Sequence, residues 1–306
     1  MVEVLEGDCI YHLRQLCERG ELFHLTFLDP PFNQGKDYDF FEDNLPPETY
    51  WQWMGQVCDL VYRCSAPGAA IYFMQREKNA EQVLRVLRET GWTLQNLIIW
   101  LKRTSAVPVR NSFGKQYQII AFATKGDAPR VFHRLRIDAP LRPEHRQPRK
   151  DGVFVTDCWD DIRELTSGYF AGEEALRTET GERFHLQQSP LALLMRIVLA
   201  STKVGDWVLY PFAGTGTTGV VAEQLGRHCV LIENAPRNVQ MIRWRLDVQR
   251  AADSVERWRH YYRFTPGLEE IWPADAVRAW GKEAQMTLFV ASEANEGVLP
   301  LMKVQN

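Results

Sequence analysis

The chain has 306 residues, of which 45% are hydrophobic and 25% are charged, so it can form one large α/β domain or a domain with an insertion. Its net charge of −3 argues against a protein that coats nucleic acid without selectivity, and no apolar stretch reaches the about 20 residues that a membrane-spanning helix needs. The N-terminus lacks the pattern of a signal peptide and the six cysteines form no Cys-x-x-Cys pair, so we expect a cytoplasmic protein with reduced thiols and no metal site.

The first informative segment is an apolar run at 24–28 that ends in Asp29-Pro30-Pro31-Phe32. The run predicts a buried parallel strand, and the prolines end it because they continue neither a helix nor the hydrogen bonds of a sheet. Open α/β sheets bind ligands at the carboxyl ends of their strands. A carboxylate, rigid carbonyls and an aromatic ring there suit the binding of a planar amino group. A simple turn is the alternative, since Asp-Pro is also common in turns.

Alternating helix and strand patterns follow up to Gly126, as an α/β fold requires. Pro46-Pro47 predicts a helix start, and apolar residues recur at helical spacing as far as Val61. A second helix is predicted over 77–90 and ends at Gly91. Three further buried strands are predicted at 69–74, 97–100 and 119–123.

The pattern changes over 127–183 to prolines, charges and weak periodicity, which predicts an inserted recognition segment or long surface loops. Seven cations and three acidic residues lie between Asp127 and Lys150, a local charge of 7 − 3 = +4. A basic groove of this kind binds a phosphate backbone, although on charge alone a solvated arginine-rich loop is the simpler interpretation. The candidate DNA contacts in this segment are Arg130, Arg134, Arg136, Arg142, Arg146, Arg149 and Lys150.

The second informative segment is a short strand at 207–210 that leads into Pro211-Phe212-Ala213-Gly214-Thr215-Gly216-Thr217-Thr218. A helix pattern follows at once, so the glycines lie in a turn between strand and helix, where the backbone can approach a ligand closely. Thr217 and Thr218 are predicted to cap the helix and leave its first N–H groups facing that ligand. No lysine follows the last glycine, which excludes a Walker A loop.

Glu233 follows the next predicted strand, at 229–232, and lies 233 − 214 = 19 residues beyond Gly214. In dinucleotide-binding folds an acidic residue about 20 residues after the loop meets a ribose hydroxyl. This order of elements, a strand, a glycine loop, a helix, a second strand and an acidic residue, predicts a cofactor that carries a nucleoside. The alternative is a helix-capping turn beside a surface glutamate. Placed in one site, the two segments suggest transfer of a group from the cofactor to the amino nitrogen.

Both segments and their order resemble the S-adenosylmethionine-dependent DNA amino-methyltransferases, in particular the beta group, whose amino-binding motif precedes the cofactor loop. Asp29-Pro30-Pro31-Phe32 is similar to the family's Asp-Pro-Pro-Tyr motif, and 33–38 is also family-like. The segment 210–218 is similar to Asp-Pro-Phe-x-Gly-Ser/Thr-Gly-Thr-Thr. Two shorter matches are 185–190, similar to His-Pro-x-Gln-Lys-Pro, and Gly7-Asp8-Cys9, similar to an early Gly-Asp element.

The likeness covers about residues 4–126 and 184–246, in the family's order. Phe32 replaces the usual tyrosine, which keeps a stacking ring but loses a hydroxyl. Tyr210 replaces the aspartate that opens the cofactor loop, a change expected to affect cofactor affinity. Leu186 and Ser189 replace a proline and a lysine.

The resemblance implies an α/β fold with a doubly wound, mostly parallel sheet, the Rossmann-like methyltransferase fold, with an inserted recognition segment. It assigns 1–126 and 184–250 to the catalytic domain and 127–183 to target recognition, and it leaves 251–306 as a C-terminal extension of unknown role. The expected partner is double-stranded DNA. A homodimer and a cognate restriction endonuclease are left open as further partners, and no membrane association is expected.

The resemblance also implies roles for individual residues. Asp29, Pro30, Pro31 and Phe32 would bind and orient the amino group of a flipped base, and Lys36 would join the arginine-rich segment in contacting DNA. The residues expected to bind S-adenosylmethionine are Asp8, Cys9, His185, Gln188, Ser189, Phe212, Ala213, Gly214, Thr215, Gly216, Thr217, Thr218, Glu233 and Asn234.

The expected target is an exocyclic amino group. Ring-carbon methylation of cytosine would need a cysteine nucleophile, commonly in a Pro-Cys pair, and no cysteine here follows a proline. The resemblance favours adenine N6 over cytosine N4, because an aspartate at the first motif position occurs with both bases and leans to adenine. Methylation of an RNA base or a protein amide stays open, as does a catalytically silent DNA-binding protein, which only Phe32 and Tyr210 support.

Overall fold

The computed structural model describes residues 1–35, 37–38, 41–102, 110–139, 150–165, 172–178, 180–185 and 187–272. Its strands are β1 (Val2–Glu6), β2 (Phe23–Leu28), β3 (Asp37–Tyr38), β4 (Phe41–Glu42), β5 (Ser65–Arg76), β6 (Thr93–Leu101), β7 (Tyr117–Thr124), β8 (Arg136–Ile137), β9 (Val153–Phe154), β10 (Cys158–Trp159), β11 (Trp207–Tyr210) and β12 (His228–Glu233). Its α-helices are α1 (Cys9–Glu18), α2 (Pro47–Arg63), α3 (Ala80–Glu89), α4 (Leu191–Ser201), α5 (Thr217–Gln224), α6 (Pro236–Val248) and α7 (Leu268–Ile271).

Eight of the described strands form one sheet in the order β1-β12-β11-β2-β5-β7-β6-β10. Strand β7 is antiparallel to β5 and β6, whereas the other neighbouring pairs are parallel. The apolar run before Asp29 is β2, a central strand with parallel neighbours on both sides. These pairings confirm the predicted α/β class and the mostly parallel sheet.

Helices cover both faces of this sheet, which makes it doubly wound. Helices α1, α2 and α3 pack on one face, where Leu13 and Val57 are fully buried. Helices α4, α5 and α6 pack on the other face around Val198 and Val221. Helix α4 is buried at every position, because it lies between the sheet and the C-terminal segment. Most of its surface is apolar, and its buried Arg196 forms an ion pair with Asp161.

The predicted element boundaries are mostly confirmed. Helix α2 begins at Pro47, and the predicted strands at 69–74, 97–100 and 119–123 lie within β5, β6 and β7. The helix predicted over 77–90 is shorter, because its first turn, Glu77–Asn79, is a 3₁₀ turn and α3 begins only at Ala80.

The connections of β2 and β11 create the crevice in which the site lies. From β2 the chain passes through α2 to β5, whereas from β11 it passes through α5 to β12, on the opposite side. Adjacent strands whose connections diverge leave a crevice at their carboxyl ends, which is the usual ligand site of open α/β sheets. Asp29 follows β2 and Pro211 follows β11, so the two informative segments meet there.

The described parts of 127–183 pack on the sheet. Strand β10 adds an edge strand beside β6, and Leu135 and Trp159 are buried in the same core as α4. Within the C-terminal region the described residues end at Trp272, whose side chain is fully buried in that core. The division of the chain into a catalytic domain, a recognition insertion and an extension stays a prediction. No helix among the described residues is long and apolar enough to cross a bilayer.

Candidate active site

A cavity of about 570 Å³ opens at the carboxyl ends of β2 and β11. Small-molecule sites typically have volumes of about 300–1,000 Å³, so the cavity has the size of a binding site. It brings together residues from both informative segments and from two segments distant in sequence. The predicted site residues that line it are Asp8, Cys9, Asp29, Pro30, Pro31, Phe32, His185, Gln188, Ser189, Phe212, Ala213, Gly214, Thr215, Thr217, Glu233 and Asn234.

The Asp29-Pro30-Pro31-Phe32 segment is held from both sides. Ser189 Oγ donates a hydrogen bond of 2.9 Å to Asp29 Oδ2. The Pro31 carbonyl accepts a hydrogen bond of 2.8 Å from the Tyr50 hydroxyl, which in turn accepts one of 2.9 Å from Gln75 Nε2. The Pro31 carbonyl is therefore bound to helix α2, and the carboxylate and the Pro30 carbonyl are the acceptors to consider for a substrate.

The turn after Phe32 fixes the direction of its ring. Asn33 adopts a left-handed conformation with φ of +51°, which asparagine tolerates better than most residues. Its N–H donates to Asp43 Oδ1 at 2.7 Å, and its side-chain amide exchanges two hydrogen bonds with the backbone of Leu45. Phe32 is 6% exposed and forms part of the cavity wall.

The two glycines of the loop between β11 and α5 have different tasks. Gly214 has φ of +54°, and a Cβ built there would meet nothing within 4 Å, so the backbone is open to a ligand. Gly216 has φ of +77°, and a Cβ there would lie 2.8 Å from Ile242 Cγ1. Gly216 therefore serves the close packing of α6 on the loop and does not line the cavity.

The predicted cap of α5 by threonine is wrong. The helix begins at Thr217, so Gly216 is the N-cap, and no side chain caps the helix. Thr217 still lines the cavity. Thr218 lies outside the lining, and its buried Oγ1 has no hydrogen-bond partner among the described residues.

Glu233 ends β12 and faces the same cavity. Its Oε2 accepts a hydrogen bond of 2.7 Å from the Gly214 N–H, and its Oε1 accepts from Ala235 N at 2.9 Å and Asn238 Nδ2 at 3.2 Å. Burial raises the pKa of Glu233 against the effect of these donors. Two carboxylate oxygens offer about four acceptor positions, and these donors take three, so one position remains for a ribose hydroxyl.

Tyr210, the residue in place of an aspartate, is buried at the end of β11. Its ring packs at 5.3 Å on Phe27 and borders the cavity. Burial, followed by the negative charges of Asp29 and Glu233, raises the pKa of Tyr210 well above its usual value. The phenol therefore stays neutral near these two carboxylates.

An ion pair that the sequence analysis did not identify supports the glycine loop from behind. Arg245 Nη2 lies 2.8 Å from Asp253 Oδ1, and both side chains are fully buried. Arg245 Nη1 donates to the Thr215 carbonyl at 2.7 Å and to Thr217 Oγ1 at 3.2 Å. The loop conformation thus depends on the segment after α6. The sequence gives no signal for this pair, because neither residue lies in a motif.

The segment before α4 lines the cavity and also forms hydrogen bonds with neighbouring parts of the chain. Gln188 accepts from Leu176 N at 2.9 Å and donates to the Glu174 carbonyl at 3.0 Å, so its amide holds the neighbouring chain. Glu174 Oε1 accepts a hydrogen bond of 2.6 Å from Leu191 N, the first residue of α4. Asp8 likewise lines the cavity and also caps α1, because its Oδ1 accepts a hydrogen bond of 2.9 Å from Tyr11 N.

The sheet edge beyond β5 supplies cavity residues that sequence reasoning missed. Trp100 lies near the end of β6, Lys102 comes directly after this strand, and Gln118 lies near the start of β7 beside Trp100. The buried Glu164 follows β10 and also lines the cavity. Burial lowers the pKa of Lys102, although Glu164 and Asp29 oppose this effect. A polar residue directly after a buried strand was the signal that could have identified Lys102.

Trp53 of helix α2 is a further lining residue. Its ring meets Phe212 edge to face at a centroid distance of 5.5 Å, which joins α2 to the glycine loop. It therefore packs and borders the cavity at once.

The predicted DNA contacts are scattered. Arg130 forms an ion pair with Asp206, at the amino ends of the strands and thus opposite the cavity. Arg134 and Arg136 lie over the ring of Phe154, at 4.5 and 4.2 Å. Lys150 is exposed. The predicted DNA contacts that lie outside the described residues are Lys36, Arg142, Arg146 and Arg149.

The described residues contain no cluster of three or more His, Cys, Asp or Glu side chains suited to a metal ion. The six cysteines are all free, and Cys158 is the exposed one.

Comparison with known proteins places this site in a family. A family model described as DNA methylase, of the N6/N4 methyltransferase type, matches residues 23–243. DNA adenine methyltransferase YhdJ of Escherichia coli K12 is 30% identical over 260 residues, which cover 80% of this chain and 82% of that protein. The likeness therefore includes both informative segments.

Two solved structures share the fold. The complex of M1.HpyAVI with SAM has a TM-score of 0.56 and 19% identity, and covers 81% of this chain and 100% of the other. The cytosine-N4-specific PvuII DNA methyltransferase has a TM-score of 0.56 and 17% identity, and covers 80% of this chain and 86% of the other. The matched family model and the E. coli relative together show that the chain belongs to the N6/N4-type DNA methylase family.

Proposed function

We propose that this protein is a site-specific DNA methyltransferase that transfers a methyl group from S-adenosylmethionine to the N6 amino group of a flipped adenine. The observation that carries the proposal is the single cavity that joins Asp29 and Phe32 to Gly214 and Glu233. One side of it offers acceptors for an amino group, and the other offers a carboxylate and an open glycine loop for a nucleoside.

The residues of the cavity fit S-adenosylmethionine. Glu233 is positioned by Gly214 and Ala235 to accept a ribose hydroxyl, and Gly214 leaves room for close approach of the ligand. Phe212 supplies an aromatic wall beside Trp53. When bound, S-adenosylmethionine supplies an electrophilic methyl group on a sulfonium. The M1.HpyAVI complex, in which a protein of the same fold was crystallised with SAM, supports this choice.

The other end of the cavity would hold the base. Phe32 stacks on the ring, while the Asp29 carboxylate and the Pro30 carbonyl accept the two amino hydrogens. By accepting the two hydrogens, these groups raise the electron density on the nitrogen, and they hold it so that its lone pair is directed at the methyl carbon. Ser189 keeps the carboxylate in place through its 2.9 Å hydrogen bond. Orientation of this kind supplies much of the acceleration, with reacting atoms about 3–3.5 Å apart.

The transfer itself is a direct displacement. The lone pair of the amino nitrogen forms a bond to the methyl carbon as the carbon–sulfur bond breaks. The electron pair of the broken bond stays on sulfur. The positive charge that develops on nitrogen is stabilised by Asp29. The nitrogen then releases one proton to water. Extrusion of the base from the duplex costs a few kcal/mol, which DNA contacts must offset.

Adenine is proposed over cytosine because the E. coli relative is an adenine methyltransferase at 30% identity, whereas the likeness to the PvuII enzyme is one of fold. The acceptors themselves do not discriminate, since both bases present an amino group. Among the predicted DNA contacts, Arg134, Arg136 and Lys150 remain the described candidates. A homodimer and a partner endonuclease stay predictions.

The test is transfer of radiolabelled methyl from S-adenosylmethionine to unmethylated DNA, with Asp29→Ala as the inactive control. Digested nucleosides are separated by mass spectrometry, and the modified sites are located by sequencing. We expect label in N6-methyladenine that disappears with Asp29→Ala. Label in N4-methylcytosine would keep the mechanism and correct the base.

Two other results would contradict the proposal. If the protein binds S-adenosylmethionine but labels only RNA or protein, the substrate class is wrong. If it binds DNA and no cofactor, it is a silent relative of the enzymes.

A further inference from the structure

The loop between β6 and β7 carries an aromatic side chain that the proposed chemistry does not use. Phe113 is 97% exposed, the highest value among the large apolar side chains of the described residues. All residues from 110 to 117 are exposed. An exposed aromatic ring forfeits the gain of burial, so such a ring at a functional rim needs an explanation.

Phe113 differs from the other exposed phenylalanines because no aromatic ring or cation of the described residues packs against it. Phe132 stacks on Phe122 at 5.7 Å, and Phe154 is covered by the guanidinium of Arg134 at 4.5 Å. Phe113 makes no ring contact within the described part of the chain. The structure therefore leaves both faces of this ring available to another molecule.

The loop is anchored at the rim of the cavity. Lys102 N donates a hydrogen bond of 2.7 Å to the Gln116 carbonyl, and Lys102 and Gln118 both line the cavity. Lys115 Nζ lies 3.1 Å from Glu77 Oε1, just beyond the carboxyl end of β5. Phe113 is five residues from Gln118, so the two residues lie at most about 18 Å apart. It therefore projects from the same edge of the sheet as Asp29.

We propose that Phe113 inserts into the DNA duplex beside the target base and fills the space which that base leaves when it enters the cavity. This inference rests on the proposed function. Apolar side chains are used as wedges between base steps, where they replace lost stacking. The exposed Arg110 and Lys115 flank the ring and are placed to contact the phosphates on either side. The aromatic ring and its cations thus form a DNA-insertion loop, residues 110–117.

The test compares Phe113→Ala, Phe113→Leu and a control, Leu94→Ala. Leu94 is also an exposed apolar residue, 45% exposed, but it lies at the opposite end of β6. Each protein is assayed on DNA duplexes that carry the methylated sequence located in the test of the proposed function. One duplex is fully paired, and the other has an abasic site opposite the target base. Methyl transfer is measured in single turnovers, and flipping is followed by 2-aminopurine fluorescence at the target position.

On paired DNA we expect Phe113→Ala to slow transfer on the order of 10-fold or more, as removal of a stacking aromatic does elsewhere, and to reduce the fluorescence increase. On the abasic duplex, where the target is unpaired, the variant should regain most of the wild-type rate, since less energy is needed to extrude the base. Phe113→Leu should keep most of the activity, and Leu94→Ala should match the wild type on both duplexes.

Two results would overturn the inference. Wild-type rates with Phe113→Ala on paired DNA would show that the ring has no part in flipping. An equal loss on paired and abasic DNA would assign the ring to general binding. Absence of label with the wild type is a different result, since it refutes the proposed function itself and is seen before any variant is made.

Discussion

Ser189 and Asp29 are 160 positions apart in the chain, yet Ser189 Oγ donates a hydrogen bond of 2.9 Å to Asp29 Oδ2. The bond joins the segment before α4 to the end of β2. It orients the carboxylate that is proposed to accept an amino hydrogen, so we expect Ser189 to serve the substrate side of the cavity as well as the cofactor side.

Ser189→Ala should slow methyl transfer while leaving S-adenosylmethionine affinity within a small factor. A hydrogen bond to a charged group contributes about 1.5–3 kcal/mol, so the expected loss in rate is on the order of 10- to 100-fold. Ser189→Thr keeps the hydroxyl and is the matched control. Single-turnover rates and calorimetric cofactor titration separate the two effects. A variant that loses only cofactor affinity would show that Ser189 serves the cofactor alone.

Asp29→Asn should abolish most of the transfer without unfolding the protein. The amide keeps the volume of the side chain, but its NH₂ group can face the amino group of the base and its oxygen carries no charge. Loss of one preorganised electrostatic contact typically reduces a rate by about 10²- to 10³-fold. The measurement is the single-turnover rate with saturating cofactor, beside an unchanged melting temperature. Near wild-type activity would remove Asp29 from the chemistry.

Glu233→Gln should weaken S-adenosylmethionine binding on the order of 10-fold or more. Both carboxylate oxygens accept N–H donors in the fold, and a glutamine would turn its NH₂ toward one of them. It would also lose the stronger, charge-assisted bonds to ribose hydroxyls. Calorimetric titration measures the change. Glu48→Gln, an exposed position in the first turn of α2, is the control.

Cofactor affinity should also depend on pH through Glu233. Burial raises the pKa of Glu233 above its usual 4.5, so the folded protein without cofactor holds this proton to a higher pH than the unfolded chain does. The stability that this group contributes is therefore present below about pH 4.5 and is lost as the pH rises through the folded pKa. Ribose hydroxyls favour the charged form, so affinity should rise over the same range. An affinity that is flat in pH for the wild type would contradict this assignment.

Asp253→Leu should strongly destabilise the fold, because it leaves the fully buried Arg245 without its partner. Removal of one member of a buried pair costs about 3–5 kcal/mol, whereas replacement of both by apolar residues is often nearly neutral. The double variant Arg245→Met/Asp253→Leu should therefore recover much of the stability, as measured by urea unfolding. It should still bind S-adenosylmethionine less tightly than the wild type, since Arg245 also holds the Thr215 carbonyl.

Acid should act on the same pair. Burial opposes the ionisation of Asp253, but Arg245 and Arg250 outweigh it, and the net effect lowers the pKa of Asp253 below its usual 3.8. A group with a lowered pKa stabilises the fold above its unfolded pKa, and this contribution is lost as the pH falls. The melting temperature should therefore decrease below about pH 4, and more steeply in the wild type than in the double variant, as scanning calorimetry can show.

Local patterns in the sequence determined much of the architecture. The buried run before Asp29, the proline-initiated α2 and the strand–loop–helix unit around Gly214 are each specified by residues close in the chain. Prolines and apolar periodicity act over a few residues, so their consequences can be derived without the fold. The same holds for the position of Glu233 at the end of β12.

Only the tertiary structure decided which distant residues meet these segments. The sequence could not show that Ser189 would bond to Asp29, or that Arg245 and Asp253 would hold the glycine loop. It also grouped Arg130 with the DNA contacts, although the fold pairs it with Asp206 at the other edge of the sheet. Such contacts depend on how helices pack across the sheet, and packing depends on the shapes of surfaces that come from the whole chain rather than on any local motif.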